Sequence, residues 1–496
     1  MEVIMTKKTF RTCLKPAVSG LLAAALLMGC SASNESAESK ETEKTEEKAP
    51  EMNSEPMEKP DGGKPEGTPP EKPDGQGGPG GGPGGAPGGG SSDITYKGAA
   101  EITSKTEEKD QTYASSSADE SALIISGTEE VTITNPTVTK SGDSDGGDSC
   151  SFYGVNAAVL VKDGASAVIT GGTITTGAEG ANGVFSYGGN GAQNGASGDG
   201  TTVTVRDTHI TTTGNGSGGI MTTGGGVTLA ENLTVETSGR SSAAIRTDRG
   251  GGTVTVNGGS YTTGGLGSPV IYSTADVTVS DAVLVSNLSE GVCIEGKNSI
   301  TLNQCDLTAS NTDRNGNASF LDTIMIYQSM SGDADSGTSS FTMNGGSLTS
   351  KSGHVFHVTN TNAVISLSDV RIVNEDSGNI LLSVCADGWS GAANKAEFNA
   401  SKQTLAGTIL VGEDSELTLN LKDGSSFTGA ISGNITDASG NTVSSEVGTV
   451  SVSLDESSTW TLTEDTWITS FSGSASSIIT NGHTLYVNGT ALSGTR

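Results

Sequence analysis

From about residue 120 onward, apolar and polar positions alternate in short runs separated by Gly, Asn or Asp. The runs align on one phrase: "VTITNPTV" at Val131, "AVITGGTI" at Ala167, "VTVRDTHI" at Val203, "VTLAENLTV" at Val227 and "VTVNGGSY" at Val254. It continues with "VTVSDAVL" at Val277, "ITLNQCDL" at Ile300, "FTMNGGSL" at Phe341 and "VISLSDVRI" around Val364. Period two predicts half-buried strands, not helices. Gly and Asn between the runs supply the positive φ that sharp corners need.

Where no insertion intervenes, the phrase returns after about 23 to 27 residues, a spacing that marks a solenoid. Each unit holds three strand pieces: one such as "AAIRTD" or "SPVIYS", then the V-T-V phrase, then one such as "SYTTG". No helical connection intervenes, which excludes a βαβ fold. Three strands per turn with every strand parallel to its neighbour in the next turn predict an all-β parallel β-helix. About twelve coils at roughly 4.8 Å each would rise on the order of 55–60 Å. Val, Ile and Leu are expected to stack inside, and Thr and Asn rows to hydrogen-bond outside. After about Thr404 the pattern loosens, and the last coils with a cap carrying Trp460 and Trp467 are expected over 431–496, the β-helix proper over 93–430.

The repeat over about 120 to 430 resembles the pectate-lyase-like superfamily of right-handed parallel β-helices and, within it, the adhesin-like β-helix lipoproteins of bacteria. The resemblance implies the fold; it does not imply one activity, because the superfamily hosts lyases, hydrolases, adhesins and phage spikes.

The N-terminus changes the picture of location. Lys7, Lys8, Arg11 and Lys15 precede the apolar stretch "VSGLLAAALLMG", too short to span a bilayer, and Cys30 follows. Residues 1–29 read as a signal peptide, and Leu27-Met28-Gly29-Cys30 resembles the lipobox of bacterial lipoproteins, which implies diacylglycerol on the Cys30 thiol and stable anchoring by two acyl chains. Residues 30–92 are acidic, Pro- and Gly-rich and contain nothing to bury: a disordered linker, holding most of the 13 prolines of the chain. The chain ends at Arg496 without a sorting motif, so the lipid is the one anchor expected. The expected location is the cell membrane, facing outward.

The formal net charge is −30, of which about −26 falls on the residues after the linker. A surface this acidic repels a phosphate backbone, so nucleic acid is excluded as a partner. Aromatic residues make up only 4% of the chain, too few for one large globular core.

Candidate chemistry concentrates where insertions interrupt the repeat, at Ser141 to Gly154, at Gly188 to Gly200 and around the unit containing Ile324. Asp143, Asp145 and Asp148 in the first, with Asp333 and Asp335 in the last, are hard oxygen donors of the kind that suit Ca²⁺, although neither loop has EF-hand or Ca²⁺-nonapeptide spacing. His354 and His357, at i and i+3 of a strand, are expected on opposite faces. Cys150, Cys293, Cys305 and Cys385 are read as buried thiols more readily than as disulfides.

One strip stands out as a ligand-binding candidate. Aligning "GVFSYG", "GIMTTG", "AIRTDR" and "PVIYST" puts Val184, Ile220, Ile245 and Ile271 inward and Phe185, Met221, Arg246 and Tyr272 outward, with Tyr187 and Asp248 at the next outward position. Either the strip meets a glycan, or these side chains pack beneath the insertion at 188–200. Thr rows of the ice-binding kind are broken by Glu236, Tyr261 and Leu284. The enzymes that the resemblance brings to mind use an Asp-Asp pair or Arg-x-Pro-x-x-Arg; this chain has no Asp-Asp, and "IRTDRG" lacks the Pro. The expectation is therefore a surface adhesin or polysaccharide-binding module, with no catalytic residue named. A polysaccharide lyase or glycoside hydrolase of the same fold is the first alternative, and a structural envelope protein the second.

Overall fold

The structure, a computed structural model, describes residues 94–495 apart from 146, 315 and 330. The expected signal peptide, nearly all of the linker and Cys30 lie outside the described residues. Among them, each coil gives one strand to a thirteen-stranded parallel sheet that runs from Gly98–Ile102 to Ile431–Ser432. The V-T-V strand and its successor form two further ladders. These merge into one 22-stranded sheet, because Gly226–Thr237 and Gly252–Thr263 each pass the bend as a single twelve-residue strand. The result is the right-handed parallel β-helix expected, with thirteen first-sheet strands against about twelve coils.

Register follows the apolar column. Val184 pairs with Ile220, Ile220 with Ile245, Ile245 with Ile271 and Ile271 with Val292, then onward through Ile324, Phe356, Leu382, Ile409 and Ile431. All ten side chains lie in one buried core. A slip of one residue would turn every one of them outward, so burial itself holds the register.

The corner after the V-T-V strand repeats a left-handed residue: Asn135, Asp207, Asn232, Asp281, Gln304 and Asp369 have φ between 49° and 57°. Asn and Asp bear this conformation best among side chains. They also bond along the ladder, Asn135 Nδ2 to Asp110 Oδ1 and Asn232 Nδ2 to Asp207 Oδ1, both at 2.7 Å.

The polar rows depart from expectation at the other corner. Thr176, Thr212, Thr237 and Thr263 are buried, as are Ser217, Ser242 and Ser268. The serines climb the coil, Ser217 N donating to Ser242 Oγ and Ser242 N to Ser268 Oγ, both at 2.9 Å. A buried bend leaves main-chain groups without ladder partners, and small hydroxyls satisfy them inside.

In the last coils Trp460 is fully buried, its Nε1 donating to Gly429 O at 3.0 Å, while Trp467 is 49% exposed and stacks on Tyr486 at 4.9 Å. Cys150, Cys293, Cys305 and Cys385 are buried free thiols.

Candidate functional site

On the first sheet, the residue after each core position faces away from the core. The pairing runs Phe185, Met221, Arg246, Tyr272, Cys293, Met325, His357 and Ser383, one per coil. The predicted register of the strip is the observed one.

Its first part is covered. Phe185 and Met221 are fully buried and Tyr187 is 4% exposed, in a second apolar cluster with Ile124, Leu160, Phe152, Tyr153 and Ala192. The short helix α1 (Asp148–Tyr153) comes from the first insertion and Ala192 from the second. Thr223 Oγ1 fastens α1 by donating to Phe152 O at 2.7 Å. Large apolar side chains on an outer face are drawn under whatever loop can shield them from water. Phe185, Tyr187 and Met221 therefore present no surface to a sugar, which corrects that part of the ligand-binding strip in favour of its alternative, packing beneath the insertion.

Further along, the face turns polar. Arg246 Nη2 donates to Asp248 Oδ2 at 2.8 Å, and Asp248 Oδ1 accepts from Arg249 N at 2.9 Å. Burial pushes the Asp248 carboxyl up to about 6; Arg246 opposes the rise and Asp333 adds to it. Glu295, one coil beyond Tyr272, is a hub. It accepts from Tyr272 Oη at 2.6 Å, Tyr327 Oη at 3.0 Å, Ser331 Oγ at 3.3 Å and Ser329 Oγ. Burial raises its carboxyl too, against the pull of these hydroxyls. Arg246, Tyr272 and Tyr327 keep part of their surface exposed.

Beside this hub lies a cleft of about 270 Å³, lined by Gln328, Ser329, Asn360, Gly332, Gly391 and Ala392 among others. Trp389, half-buried, meets Tyr327 with ring centroids 5.0 Å apart. Gln328 spends its Nε2 on Ser329 O and Ala334 O, at 3.0 and 3.3 Å. Its Oε1 is buried without a partner. A larger hollow of about 450 Å³ opens where Arg371–Asn374 and Thr404–Ala406 fail to pair; neither it nor the smaller cleft has an aromatic side chain in its lining.

The next coils bring two histidines to one hydroxyl. His354 Nδ1 and His357 Nδ1 each lie 2.7 Å from Ser383 Oγ, and His357 Nε2 lies 3.1 Å from Asp387 Oδ2. This corrects the placement of the histidines on opposite faces: His354 opens its strand directly after Gly353, at φ +76°, before strict alternation begins. His357, Ser383 and the Asp387 side chain have no exposed surface, and Phe320 packs on both imidazoles at about 5 Å. Such closed packing holds the 386–393 loop against the coil and gives a substrate no way to the hydroxyl.

The aspartates of the insertions are dispersed among other partners. Asp143 Oδ1 accepts from Glu179 N and Asp145 Oδ1 from Gly147 N, at 2.9 and 3.0 Å, and Asp148 opens α1. Asp333 pairs with Arg249 at 2.6 Å and Asp335 with Lys297 at 2.9 Å. Among the described residues no group of three or more His, Cys, Asp or Glu side chains is arranged to hold a metal ion.

Glu295, Tyr327, Gln328 and Trp389 were missed from sequence. The same column, carried one coil further through "GVCIEG", places Cys293 beside Tyr272 and Glu295 beside Thr274. Trp389 had no such signal, since it sits in a loop. With this geometry in hand, the class is a parallel β-helix with a loop-roofed polar face. Comparison with protein-family models, curated proteins and solved structures finds no match for the chain.

Proposed function

We propose that the protein is a surface-displayed glycan-binding module, an adhesin in the broad sense, that takes a neutral sugar chain into the cleft beside Trp389 and Tyr327. The carrying observation is Gln328 Oε1, a buried acceptor lacking a donor on a residue that lines the cleft, with the partly buried Tyr327–Trp389 ring pair carried by the same two segments of chain. A pyranose supplies both partners, a C–H face for the rings and a hydroxyl for the amide oxygen. The volume suits about one ring of a chain. Charge favours a neutral ligand: Arg246, Arg249 and Lys297 are already paired with Asp248, Asp333 and Asp335, and the acidic surface repels polyanions. Lipid anchoring through Cys30 on the outer side of the cell membrane belongs to the same reading, and Cys30→Ala protein is expected to leave the membrane fraction.

The test is binding of the full chain to an array of neutral and acidic glycans, with Trp389→Ala beside the wild type. Neutral-glycan binding weakened by roughly 1–3 kcal/mol in the variant is expected. Absence of any binding, or an unchanged Trp389→Ala, rejects the reading. New reducing ends or unsaturated products would make this face the active site of a hydrolase or lyase instead.

A further inference from the structure

The hollow between Arg371–Asn374 and Thr404–Ala406 is a break in the ladder of third strands. Asp369 N still reaches Ser401 O at 3.3 Å before it, and Thr408 N meets Asn379 O at 2.9 Å after it. In between, each strand pairs only with its far neighbour, Arg371–Asn374 with Ser347–Ser350 and Thr404–Ala406 with Ser426–Thr428. Alternation then decides which main-chain groups are left over. Arg371 N and Glu375 N donate back to Gly346 O and Ser350 O, at 3.0 and 2.8 Å, so the main chain of Ile372 faces the gap. On the other wall Ser426 N donates to Gln403 O at 2.8 Å and Gly407 N to Thr428 O at 3.1 Å, so Thr404 and Ala406 face the gap as well. Among the described residues no hydrogen bond takes up the N–H or C=O of Ile372 or of Ala406.

Gln403 shows what such a wall accepts. Its Oε1 accepts from Val370 N at 3.0 Å and its Nε2 donates to Val370 O at 2.5 Å, one amide filling both positions that a neighbouring strand would have bonded. Next to Val370, Ile372 belongs to the core column: it pairs in register with Leu348, yet it is half-buried, whereas Leu348 and, across the gap, Leu405 are fully buried. The hollow therefore exposes an apolar floor. Its rim carries two exposed cations, Arg371 and Lys402, against one carboxylate, Asp369. Neither cation enters an ion pair among the described residues. We propose that this gap takes an added β-strand, a short extended peptide of a partner protein with an apolar side chain set on Ile372 and a carboxylate beside it at Arg371.

Chemistry favours a strand over a small anion. The free groups are N–H and C=O in equal number, and an extended main chain offers acceptors and donors alternately at the spacing both walls present, whereas an anion serves the donors alone. Thr404–Ala406 runs about 10 Å along the hollow, the length of three extended residues at ~3.3 Å each. In register, the middle residue of the added strand points inward beside Ile372, and the residue before it falls on the outer face between Arg371 and Thr404. There a carboxylate meets the guanidinium in a charge-assisted hydrogen bond. The hollow shares no lining residue with the cleft at Gln328, so strand addition is independent of glycan binding.

The probe is a library of capped pentapeptides with valine, leucine or serine in the middle and glutamate, lysine or serine before it, screened against the full chain at up to about millimolar concentration. Peptides with glutamate before an apolar middle residue are expected to be retained. Methylating the main-chain nitrogens of their three central residues should weaken binding about tenfold or more, because the ladder donors are removed while every side chain stays. Arg371→Glu, at an exposed position, should weaken the glutamate peptides about tenfold and turn the preference toward lysine peptides, which places the bound strand at this hollow. Retention of no peptide at millimolar concentration overturns the proposal. Equal binding of the methylated peptides, or an unchanged preference in Arg371→Glu, overturns it as well.

Discussion

Arg249 and Asp333 stand 84 positions apart in the chain, yet Nη2 and Nε of the one lie 2.6 and 3.1 Å from Oδ1 of the other. The guanidinium also covers the Phe152 ring at 4.3 Å. One side chain thereby ties a coil corner to the insertions on either side. Nearby, Asn194 joins the same seam, accepting from Gly250 N at 2.9 Å and donating to Gly332 O at 3.1 Å.

The Arg249–Asp333 contact is partly exposed, 30% and 20%, so solvent screens it. A double-mutant cycle of Arg249→Ala and Asp333→Asn is expected to give a coupling of about 1 kcal/mol in thermal unfolding. Arg249→Lys should recover little, because one ammonium cannot reproduce the two-donor contact and the flat face over Phe152. Zero coupling would show that the insertions are held by packing alone.

Stability should depend on pH through two groups of opposite sign. Burial, with His357 beside it, lowers His354 from 6.5 to about 3, so its contribution is full above pH 6.5 and is lost as pH falls toward 3. Asp248 is raised from 3.8 to about 6, so its contribution is full below 3.8 and is lost as pH rises through 6. Calorimetry of His354→Asn, which keeps a polar atom near Ser383, should show a shallower fall in melting temperature from pH 6.5 to 4 than the wild type. An identical fall would mean that His354 is solvated in the native state.

Tyr261 fills the core between Val235 and Leu284, and its hydroxyl is buried without a partner. Such a group costs free energy on folding. Tyr261→Phe is therefore expected to leave the melting temperature unchanged or to raise stability by up to about 1 kcal/mol. A loss of more than about 1 kcal/mol would reveal an internal water bound to the hydroxyl.

Gly258 and Gly259 share one corner but differ in what a side chain would meet. A Cβ on Gly258, at φ +69°, meets nothing closer than Asn232 Cα at 3.9 Å, and the rungs on either side carry Asn232 and Asp281 in the same left-handed conformation. A Cβ on Gly259, at φ +96°, would stand 2.3 Å from Leu233 O. Gly258→Asn should cost less than about 1 kcal/mol and Gly259→Ala about 2 kcal/mol or more, read from thermal melts. Equal costs would place the strain elsewhere in the corner.

The alternation of Val, Ile and Leu with Thr and Ser determined the strand type, and its return at a fixed spacing determined the coil, because a period-two face finds burial only by stacking on its own repeat. That is why Val184, Ile220, Ile245 and Ile271 could be placed inward from the letters alone. Which outward residues meet solvent was decided only by the tertiary structure. Phe185 and Met221 read either as a surface or as packed beneath the 188–200 insertion, and the fold chose the second and laid α1 over them as well, a segment that carries no period to say where it lands. Asp333 read as a cation ligand until the fold delivered Arg249 to it, and Glu295 meets Tyr272 and Tyr327 only because neighbouring coils stack in register. Local pattern is written in short-range sequence, whereas the partner of a charge and the cover of an apolar side chain depend on contacts between residues tens of positions apart.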